Sequence, residues 1–441
     1  MPMRPSQPVL TLLGSAGGVA KAVLSILHHA AQDGDDPIHG WIRQCRIHLV
    51  DYRQKNKTYY NRLFPHLKKQ LVLHQFDLHD LPGFREHLRK TGTQLVIDVS
   101  WADTVQMIGC CNELGVAYVN TALENTAVDD DPTLEGFTLL CRSERFETVK
   151  NTFSNLTAIV GSGMNPGVVQ WMAIELMRRN PDKPPKACYI VEHDTTFFAD
   201  ASLMKPNSIY TTWSPECFLD EALLNYPMFM QRGTPLFIYD DVYAMEFRVR
   251  LGDKTFTGCL MPHEEVISLS QLFGMETGFI YRVSEQMTEA IRRHLPVQDD
   301  LWEWDMQVLD PTKADLIGED TVGVLLVYDD KETYMLNALA TKDVYPAFPT
   351  NATYYQVACG VYGAVASVVL DTLPKGVYYV DELLLGTNTR YGEYVSQYMK
   401  QFITGENAAP DGLLLDRMIV PDDSPPDTVP PRATTIVEEE S

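Results

Sequence analysis

LTLLGSAGGVAKAV, residues 10–23, places a glycine-rich turn between an apolar run and a helix-forming segment. Gly14, Gly17 and Ala20 have the spacing of a turn whose small residues let the backbone approach a pyrophosphate. The amide groups at the start of the following helix would face the same anion. The next apolar run ends at Asp51, a carboxylate placed to accept the two hydroxyls of a ribose. The stretch therefore predicts a nucleotide-binding strand, turn and helix.

The expected nucleotide is NAD because Asp51 ends the second strand, whereas the nearby Arg53 keeps NADP open as an alternative. Further polar residues follow the fourth and fifth apolar runs, in DVSW (98–101) and NTALEN (120–125). Ligands bind at the carboxyl ends of parallel strands, so these residues are expected at the same crevice, unless they only cap or turn the chain. The predicted cofactor contacts are Gly14, Ser15, Gly17, Gly18, Val19, Asp51, Asp98, Ser100, Asn120 and Thr121.

Six apolar runs alternate with helical periods between residues 8 and 160, which predicts a parallel sheet covered on both faces. Beyond residue 180 the runs alternate with polar residues, as in an antiparallel, half-solvated sheet. Residues 351–371 predict a long helix capped by Asn351 or Thr353. We therefore predict an α/β protein with an N-terminal Rossmann-type doubly wound parallel sheet and a second α+β catalytic domain, inserted before C-terminal helices.

The predicted boundaries follow these changes in pattern. Residues 1–165 form the dinucleotide-binding domain, and residues 166–350 form the α+β substrate domain. Residues 351–420 supply C-terminal helices that pack back on the first domain. The tail, 421–441, is rich in proline and carboxylates and is expected to be disordered.

Composition excludes several classes of function. The net charge of -23 argues against a nucleic-acid partner, which needs a surplus of Lys and Arg. The longest apolar stretches, such as 357–370, are shorter than the roughly 18 residues of a membrane span, and the N-terminus lacks a signal peptide's basic region. Eight cysteines without a CxxC pair or metal-spaced histidines suggest reduced thiols and no metal site. We expect a cytoplasmic protein without a membrane partner.

A second glycine turn, GSGMNPG (161–167), follows the sixth apolar run. Pro166 is expected as the first residue of the next helix, with Asn165 as its cap. The turn is thus predicted to be a junction that carries the chain out of the nucleotide domain and places Asn165 at the reaction centre.

Two acidic segments predict a site for a cationic amine, because only carboxylates or aromatic faces offset the desolvation of an ammonium group. The segment TTWSPECFLDEALL (211–224) supplies Trp213, Glu216, Asp220 and Glu221, and VEHDTTFFAD (191–200) supplies Glu192, Asp194 and Asp200. Glu216 and Asp220 share a helix face, where two like charges repel unless a cation lies between them. The alternative is a solvated first helical turn, in which acids are favoured by the helix dipole.

Together the motifs resemble a known family. An N-terminal dinucleotide fold followed by NTALE (120–124), GMNPG (163–167), TTWSPE (211–216), HEEVIS (263–268), NATYYQV (351–357) and VDE (380–382) is similar to bacterial homospermidine synthases, a branch of the saccharopine dehydrogenase-like proteins. The resemblance covers about residues 8 to 400.

The resemblance implies an NAD-dependent transfer that joins putrescine or spermidine units through an imine, with internal return of the hydride. It further implies a homodimer. By the resemblance, Asn165 lies beside the nicotinamide and His263 transfers a proton. Glu124 and Glu216 would bind ammonium groups of the substrate.

One departure keeps other functions open. The family's tryptophan shortly after the TWSxE motif is missing here, where the chain has Tyr226 and Phe229 instead. One alternative is a saccharopine- or opine-type NAD(P)-dependent dehydrogenase, whose carboxylate substrate would need arginines in the pocket. A second alternative is a non-catalytic nucleotide-binding protein, which a blocked crevice would favour. The candidate arginines are Arg232, Arg248, Arg250 and Arg282.

Overall fold

Seven parallel strands form the first sheet of the computed structural model, which describes residues 7–419 and the short strand at 434–435. Six of the strands, in chain order, are β1 (Val9–Leu13), β2 (Arg46–Val50), β3 (Leu71–His74), β4 (Leu95–Asp98), β5 (Ala117–Asn120) and β6 (Thr157–Val160). The helices between them are α1 (Gly18–Ala30), α2 (His39–Gln44), α3 (Lys57–Leu63), α4 (Leu81–Thr91), α5 (Thr104–Leu114), α6 (Thr126–Asp129) and α7 (Thr138–Lys150). The predicted doubly wound α/β fold is confirmed.

The second part of the chain begins after β6. Its helices are α8 (Val168–Arg178), α9 (Pro215–Leu223), α10 (Glu264–Phe273), α11 (Glu285–His294) and α12 (Thr341–Val344). Its strands are β7 (Ala187–Asp194), β8 (Phe197–Phe198), β9 (Ser208–Thr211), β10 (Met228–Gln231), β11 (Thr234–Phe237), β12 (Glu246–Leu251), β13 (Lys254–Met261), β14 (Glu276–Arg282), β15 (Asp305–Val308), β16 (Leu316–Ile317), β17 (Asp320–Val327) and β18 (Glu332–Leu339).

The last part of the chain returns to both sheets. Its elements are α13 (Ala352–Leu370), β19 (Gly376–Tyr379), α14 (Val380–Gly386), α15 (Tyr391–Tyr398), β20 (Phe402–Asn407), β21 (Met418–Ile419) and β22 (Thr434–Thr435). Short 3-10 turns lie at Pro132–Leu134, Ala201–Leu203, Val242–Ala244, Leu295–Glu303 and Leu414–Arg417. The region expected to supply only helices therefore also contributes strands. The tail predicted to be disordered lies outside the described residues, apart from β22, which pairs with β11.

The first sheet has the strand order β19-β6-β5-β4-β1-β2-β3. The order reverses between β1 and β4, and ligands of doubly wound folds bind at the carboxyl ends of the strands on either side of such a reversal. β19 extends the sheet by pairing in parallel with β6. The fold thus positions a crevice beside the first glycine turn.

The second sheet was predicted to be antiparallel and half-solvated, and the structure differs from this prediction in two respects. β7 and β14 run parallel, and β17 is buried along its whole length. One face is covered by α8 and α10, while Phe247, Val249 and Leu414 pack on the opposite face. Burial on both faces explains why these strands are so apolar.

The second glycine turn packs backbone to backbone against α13. An added Cβ on Gly360 of α13 would lie 2.0 Å from the Gly163 carbonyl oxygen. Gly167 has a φ of 128°, which favours glycine, and its added Cβ would lie 2.4 Å from the same oxygen. No other residue fits either position without a backbone shift.

The cap predicted for the helix after this turn is wrong. α8 begins at Val168, and Gly167 is its N-cap, whose N–H donates to Gln170 Oε1 at 2.9 Å. The Asn165 side chain is therefore free of the helix and points to Glu192, to which its Nδ2 donates at 2.7 Å. Gln170, three positions after the cap, therefore takes the capping role predicted for Asn165.

Helix α13 connects the two parts of the protein. Asn351 caps it, as expected, by accepting the Tyr354 N–H at 2.9 Å. The same side chain donates to the carbonyl oxygens of Thr212 and Leu309. By length and composition, α13 is the one helix of the described chain that could cross a membrane, with a mean hydropathy of 1.3, and 72% of that stretch is buried inside the protein.

Gly360→Ala is expected to lower the free energy of unfolding by about 2 kcal/mol, because the methyl group must displace the backbone of the second glycine turn. Gly109→Ala is the matched control, since Gly109 also lies inside a helix but its added Cβ would have 4.0 Å to Phe153 Cε1. The control is expected to be neutral or stabilising by about 0.5 kcal/mol, as alanine favours helices. Urea unfolding followed by circular dichroism measures both; equal stability of the two variants would contradict this packing.

Candidate active site

A cleft of 390 Å³ lies at the carboxyl ends of β1, β4 and β5, between the first sheet and the second part of the chain. Its volume is within the range of small-molecule sites. Thirteen of the predicted site residues line it: Gly17, Gly18, Val19, Asp98, Ser100, Asn120, Thr121, Glu124, Asn165, Glu192, Trp213, Glu216 and His263. Gly14, Ser15, Asp51 and Asp194 are not among its lining residues. The structure thus brings together predicted site residues from distant parts of the chain, from Gly17 to His263.

The predicted cofactor residues that do not line the cleft, Gly14, Ser15 and Asp51, stabilise the first glycine turn. Gly14 has a φ of 70°, and an added Cβ would lie 2.5 Å from the Val99 carbonyl oxygen. The Asp51 carboxylate accepts the backbone N–H groups of Ala16 and Arg53, at 2.9 and 2.7 Å. Ser15 is buried and its hydroxyl accepts a hydrogen bond from Gln54. These residues hold the turn in shape.

The start of α1 faces the cleft with its backbone. Gly17 is the N-cap, and within residues 7–419 no side chain caps this helix. The N–H groups of the first helical turn are therefore available to an anion, with the positive end of the helix dipole behind them. Gly18 lies so close to Tyr354 that an added Cβ would be 2.3 Å from the tyrosine ring.

Two of the polar residues predicted to contact the cofactor, Asn120 and Asp98, form hydrogen bonds mainly within the protein. Asn120 donates to the Ala122 carbonyl at 2.6 Å and accepts the Gly161 N–H at 2.9 Å, so it links β5 to the second glycine turn. Asp98 accepts hydrogen bonds from Ser100 and from the Tyr118 hydroxyl. Burial raises the pKa of Asp98 above its usual value. Both residues therefore also stabilise the floor of the cleft.

Four glutamates line the cleft, of which Glu192 is buried and the other three are half-buried: Glu124, Glu192, Glu221 and Glu264. Burial raises the pKa of the first three to about 8, and that of Glu264 to about 7. A carboxyl group with such a pKa is largely protonated at neutral pH unless a cation lies beside it. The cleft is therefore prepared for positive charge.

Sequence reasoning missed Glu264 as a site residue, and it named Glu221 among the acids of its segment without selecting it for the site. Glu264 accepts the Leu123 N–H through Oε1 at 2.7 Å. Its Oε2 atom and Oε2 of Glu221 are buried, and the described residues give neither atom a hydrogen-bond partner. Their signal was present in the sequence, because Glu264 lies inside HEEVIS and Glu221 inside TTWSPECFLDEALL.

His263 is positively charged at neutral pH. Burial lowers the pKa of this imidazole, but the adjacent Glu265 carboxylate, which contacts Nδ1, outweighs burial and raises the pKa to about 9. The ring also packs against Phe279, with 4.6 Å between ring centroids. Because Nδ1 is held by Glu265, Nε2 is the atom left to exchange a proton with a ligand.

The protein itself supplies a cation beside Asp220. Arg142 Nη1 donates to Asp220 Oδ2 at 2.9 Å, and Arg142 Nε donates to Asp129 at 2.8 Å. The prediction that a substrate amine separates these two acids is therefore wrong for Asp220. Glu216 is exposed at the cleft and accepts a hydrogen bond from Ser214.

Asp194 supports the cleft from behind. Its carboxylate accepts the Thr196 N–H at 2.8 Å and the Thr212 hydroxyl. Burial raises the pKa of Asp194. The pKa of Asp320 is also raised, mainly by its burial and further by the negative charges of Asp194 and Glu192. Three buried acids thus lie close together at the end of β7 and the start of β17.

Aromatic side chains form one wall of the cleft. Trp213 Nε1 donates to the Tyr281 hydroxyl at 3.0 Å, and Tyr281 stacks on Phe279 with 5.5 Å between centroids. Tyr226 and Phe229, the aromatics nearest to the missing tryptophan in sequence, are not among the lining residues.

The candidate arginines of the alternative dehydrogenase function do not line the cleft. Arg282 pairs with Glu246 and Glu285, and Arg250 and Arg248 pair with Asp411. Arg232 is exposed in the turn between β10 and β11. In the part of the chain that the structure describes, Arg142 is the one arginine of the lining, and it is already paired.

No known protein-family profile matches the chain, and no curated protein sequence does. Among solved structures, the chain is similar to the homospermidine synthase of Legionella pneumophila in complex with NAD, with 17% identity over 91% of this chain and 92% of that one and a TM-score of 0.68. It is also similar to the apo saccharopine dehydrogenase (L-Glu forming) of Saccharomyces cerevisiae, with 12% identity over 91% of this chain and 99% of that one and a TM-score of 0.53. The chain thus shares its fold with these two structures over 91% of its length.

Proposed function

We propose that the cleft binds NAD beside a small cationic amine and catalyses an aminoalkyl transfer of the homospermidine synthase type. The observation that supports this most strongly is the charge of the lining: four buried or half-buried glutamates and, among the described residues, one arginine that is already paired. A substrate with ammonium groups would satisfy these acids, whereas a carboxylate substrate would be repelled by them.

NAD fits the first glycine turn. The helix N-terminus without a side-chain cap can receive the pyrophosphate, and Gly17, Gly18 and Val19 line the cleft at that point. Asp51 lies at the end of β2, where its carboxylate is fixed by the turn amides and favours NAD over NADP. The Legionella pneumophila structure, which is a complex with NAD, supports this assignment.

When bound, NAD⁺ would accept a hydride from the carbon next to a primary amine and return it after a second amine has replaced ammonia, so that no net oxidation results. The protein groups hold the amines. Glu221 and Glu264 each offer a buried oxygen to an ammonium N–H. His263 exchanges a proton with the reacting nitrogen through Nε2, and Glu265 fixes its ring.

The remaining lining residues keep the reacting groups in place and dry. Asn165 holds Glu192 by its 2.7 Å hydrogen bond. The wall of Trp213, Phe279 and Tyr281 offers ring faces to a cation and excludes water that would hydrolyse an imine. This wall takes the place of the aromatic residue that is missing from the sequence motif.

A saccharopine-type dehydrogenase remains the second candidate because the yeast structure shares the fold over 91% of this chain. Its substrates carry carboxylates, which bind best to arginine pairs. The lining favours the amine transfer for that reason. An open cleft also disfavours the non-catalytic alternative.

Incubation of the purified protein with putrescine and catalytic amounts of NAD⁺ is expected to yield homospermidine and ammonia without net NADH. Mass spectrometry detects the product, and absorbance follows NADH. If the protein forms no homospermidine but consumes NADPH in the presence of an amino acid and a keto acid, the second candidate would be established instead.

The acidic lining also predicts a pH dependence. The folded carboxyl pKa values of about 7 to 8 exceed those of the unfolded chain, so the free protein holds extra protons and loses stability as the pH rises from about 5 to about 8. His263 changes the stability in the same direction. Its raised pKa stabilises the folded protein fully below about pH 6.5, and this stabilisation is lost as the pH rises past about 9.

Putrescine is therefore expected to raise the melting temperature more at pH 8 than at pH 6, because it stabilises the ionised carboxylates. Glu221→Gln should reduce this increase, while Glu393→Gln, an exposed position on α15, should not. Calorimetry at the two pH values provides the measurement. An increase that is independent of pH, or unchanged in Glu221→Gln, would count against the amine site.

A further inference from the structure

Three histidines meet on the face of the first sheet that α4 covers, away from the cleft. His48 lies on β2, His74 ends β3, and His87 lies on α4. The register pairs His48 with Val72 and Val50 with His74. Since side chains alternate along a strand, His48 and His74 point to the same face. None of the three is among the residues that line the cleft.

We propose that His48, His74 and His87 bind a divalent transition-metal ion of the Zn²⁺ class. One ring nitrogen from each histidine lies within 4.8 Å of the other two. His48 Nδ1 and His74 Nε2 are 2.7 Å apart. Three imidazole nitrogens on one tetrahedral Zn²⁺ would be separated by about 3.3 Å, given Zn–N distances of about 2.0 to 2.1 Å. Small side-chain rotations therefore suffice to reach this geometry.

An unsatisfied atom at the cluster provides an independent observation. His48 is 6% exposed, and within the described chain its Nε2 atom is buried without a hydrogen-bond partner. A buried ring nitrogen in this state is costly, and an ion that bound His48 through Nε2 itself would remove that cost. His87 is similarly buried, at 9% exposed.

The surroundings supply outer contacts for such a site. His87 Nε2 is 3.4 Å from Thr11 Oγ1, and the hydroxyls of Thr11 and Thr91 each lie 2.7 Å from Thr93 Oγ1. Hydrogen bonds of this kind orient ligating rings. The apolar residues Val50, Phe84 and Leu88 belong to the core cluster on the same face and would exclude bulk water.

The donor set selects the class of ion. Three nitrogens without a carboxylate suit Zn²⁺, Cu²⁺ or Ni²⁺ and not Mg²⁺ or Ca²⁺, which prefer oxygen ligands. The histidines come from two strands and the helix that covers them, so the ion would pin α4 to the edge of the sheet. We therefore expect an ion with three histidine ligands and water in the fourth position.

The test uses the full-length protein, freed of metal by dialysis against a chelator. Titration calorimetry with ZnCl₂ is expected to give one ion per chain. His74→Ala should weaken zinc binding by at least about tenfold, because losing even a residue that only hydrogen-bonds to a metal ligand lowers metal affinity by that factor. His79→Ala is the matched control, since its side chain is 73% exposed and lies outside the cluster. Equal binding by both variants would place the ion elsewhere and overturn the proposal.

A second measurement does not depend on a variant that folds. Co²⁺ added to the metal-free wild-type protein is expected to produce the visible d–d bands of a tetrahedral nitrogen site and to raise the melting temperature. A spectrum of octahedral, hydrated Co²⁺ without a shift in melting temperature would overturn the proposal.

Discussion

The contact between Gly163 and Gly360 is the constraint on which the rest of the structure depends. The backbone of the second glycine turn lies so close to α13 that a single Cβ at position 360 would be 2.0 Å from the Gly163 carbonyl oxygen. This contact fixes α13 against the first sheet. The same helix begins at Asn351, which bonds to two carbonyl groups of the second part of the chain. Two glycines and one asparagine thus connect α13 to both parts of the protein.

The second constraint is electrostatic. Glu124, Glu192 and Glu221 have pKa values raised to about 8 by burial, so the site without a cation holds protons in place of charge. Such an arrangement is costly for a purely structural core, because buried acids are seldom retained without partners. A diamine would replace those protons. The single imidazolium, His263, is stabilised by Glu265 and is thus available for proton transfer without an incoming ligand.

Much of the fold was predictable because its signals are local. The strand, glycine turn and helix at residues 9–30 and the cap at Asn351 can be identified from neighbouring residues alone. The errors concern partners that are distant in sequence. Asp220 pairs with Arg142, 78 residues earlier, and Gln170 displaced Asn165 as the partner of the α8 amide. The parallel pairing of β7 with β14 has no local signal, since alternation does not report strand direction. The histidine cluster was missed for the same reason: His48 and His74 are 26 residues apart and meet only through the sheet register.

Internal return of the hydride requires that the cleft keep the cofactor bound beside both amines throughout the reaction. The decisive substrate is putrescine that carries deuterium on both carbons next to nitrogen, with excess unlabelled NADH in solution. Internal return predicts homospermidine that keeps all of its carbon-bound deuterium, as measured by mass spectrometry. A product with one deuterium fewer would show that the hydride exchanges with the free cofactor pool, and would contradict the account.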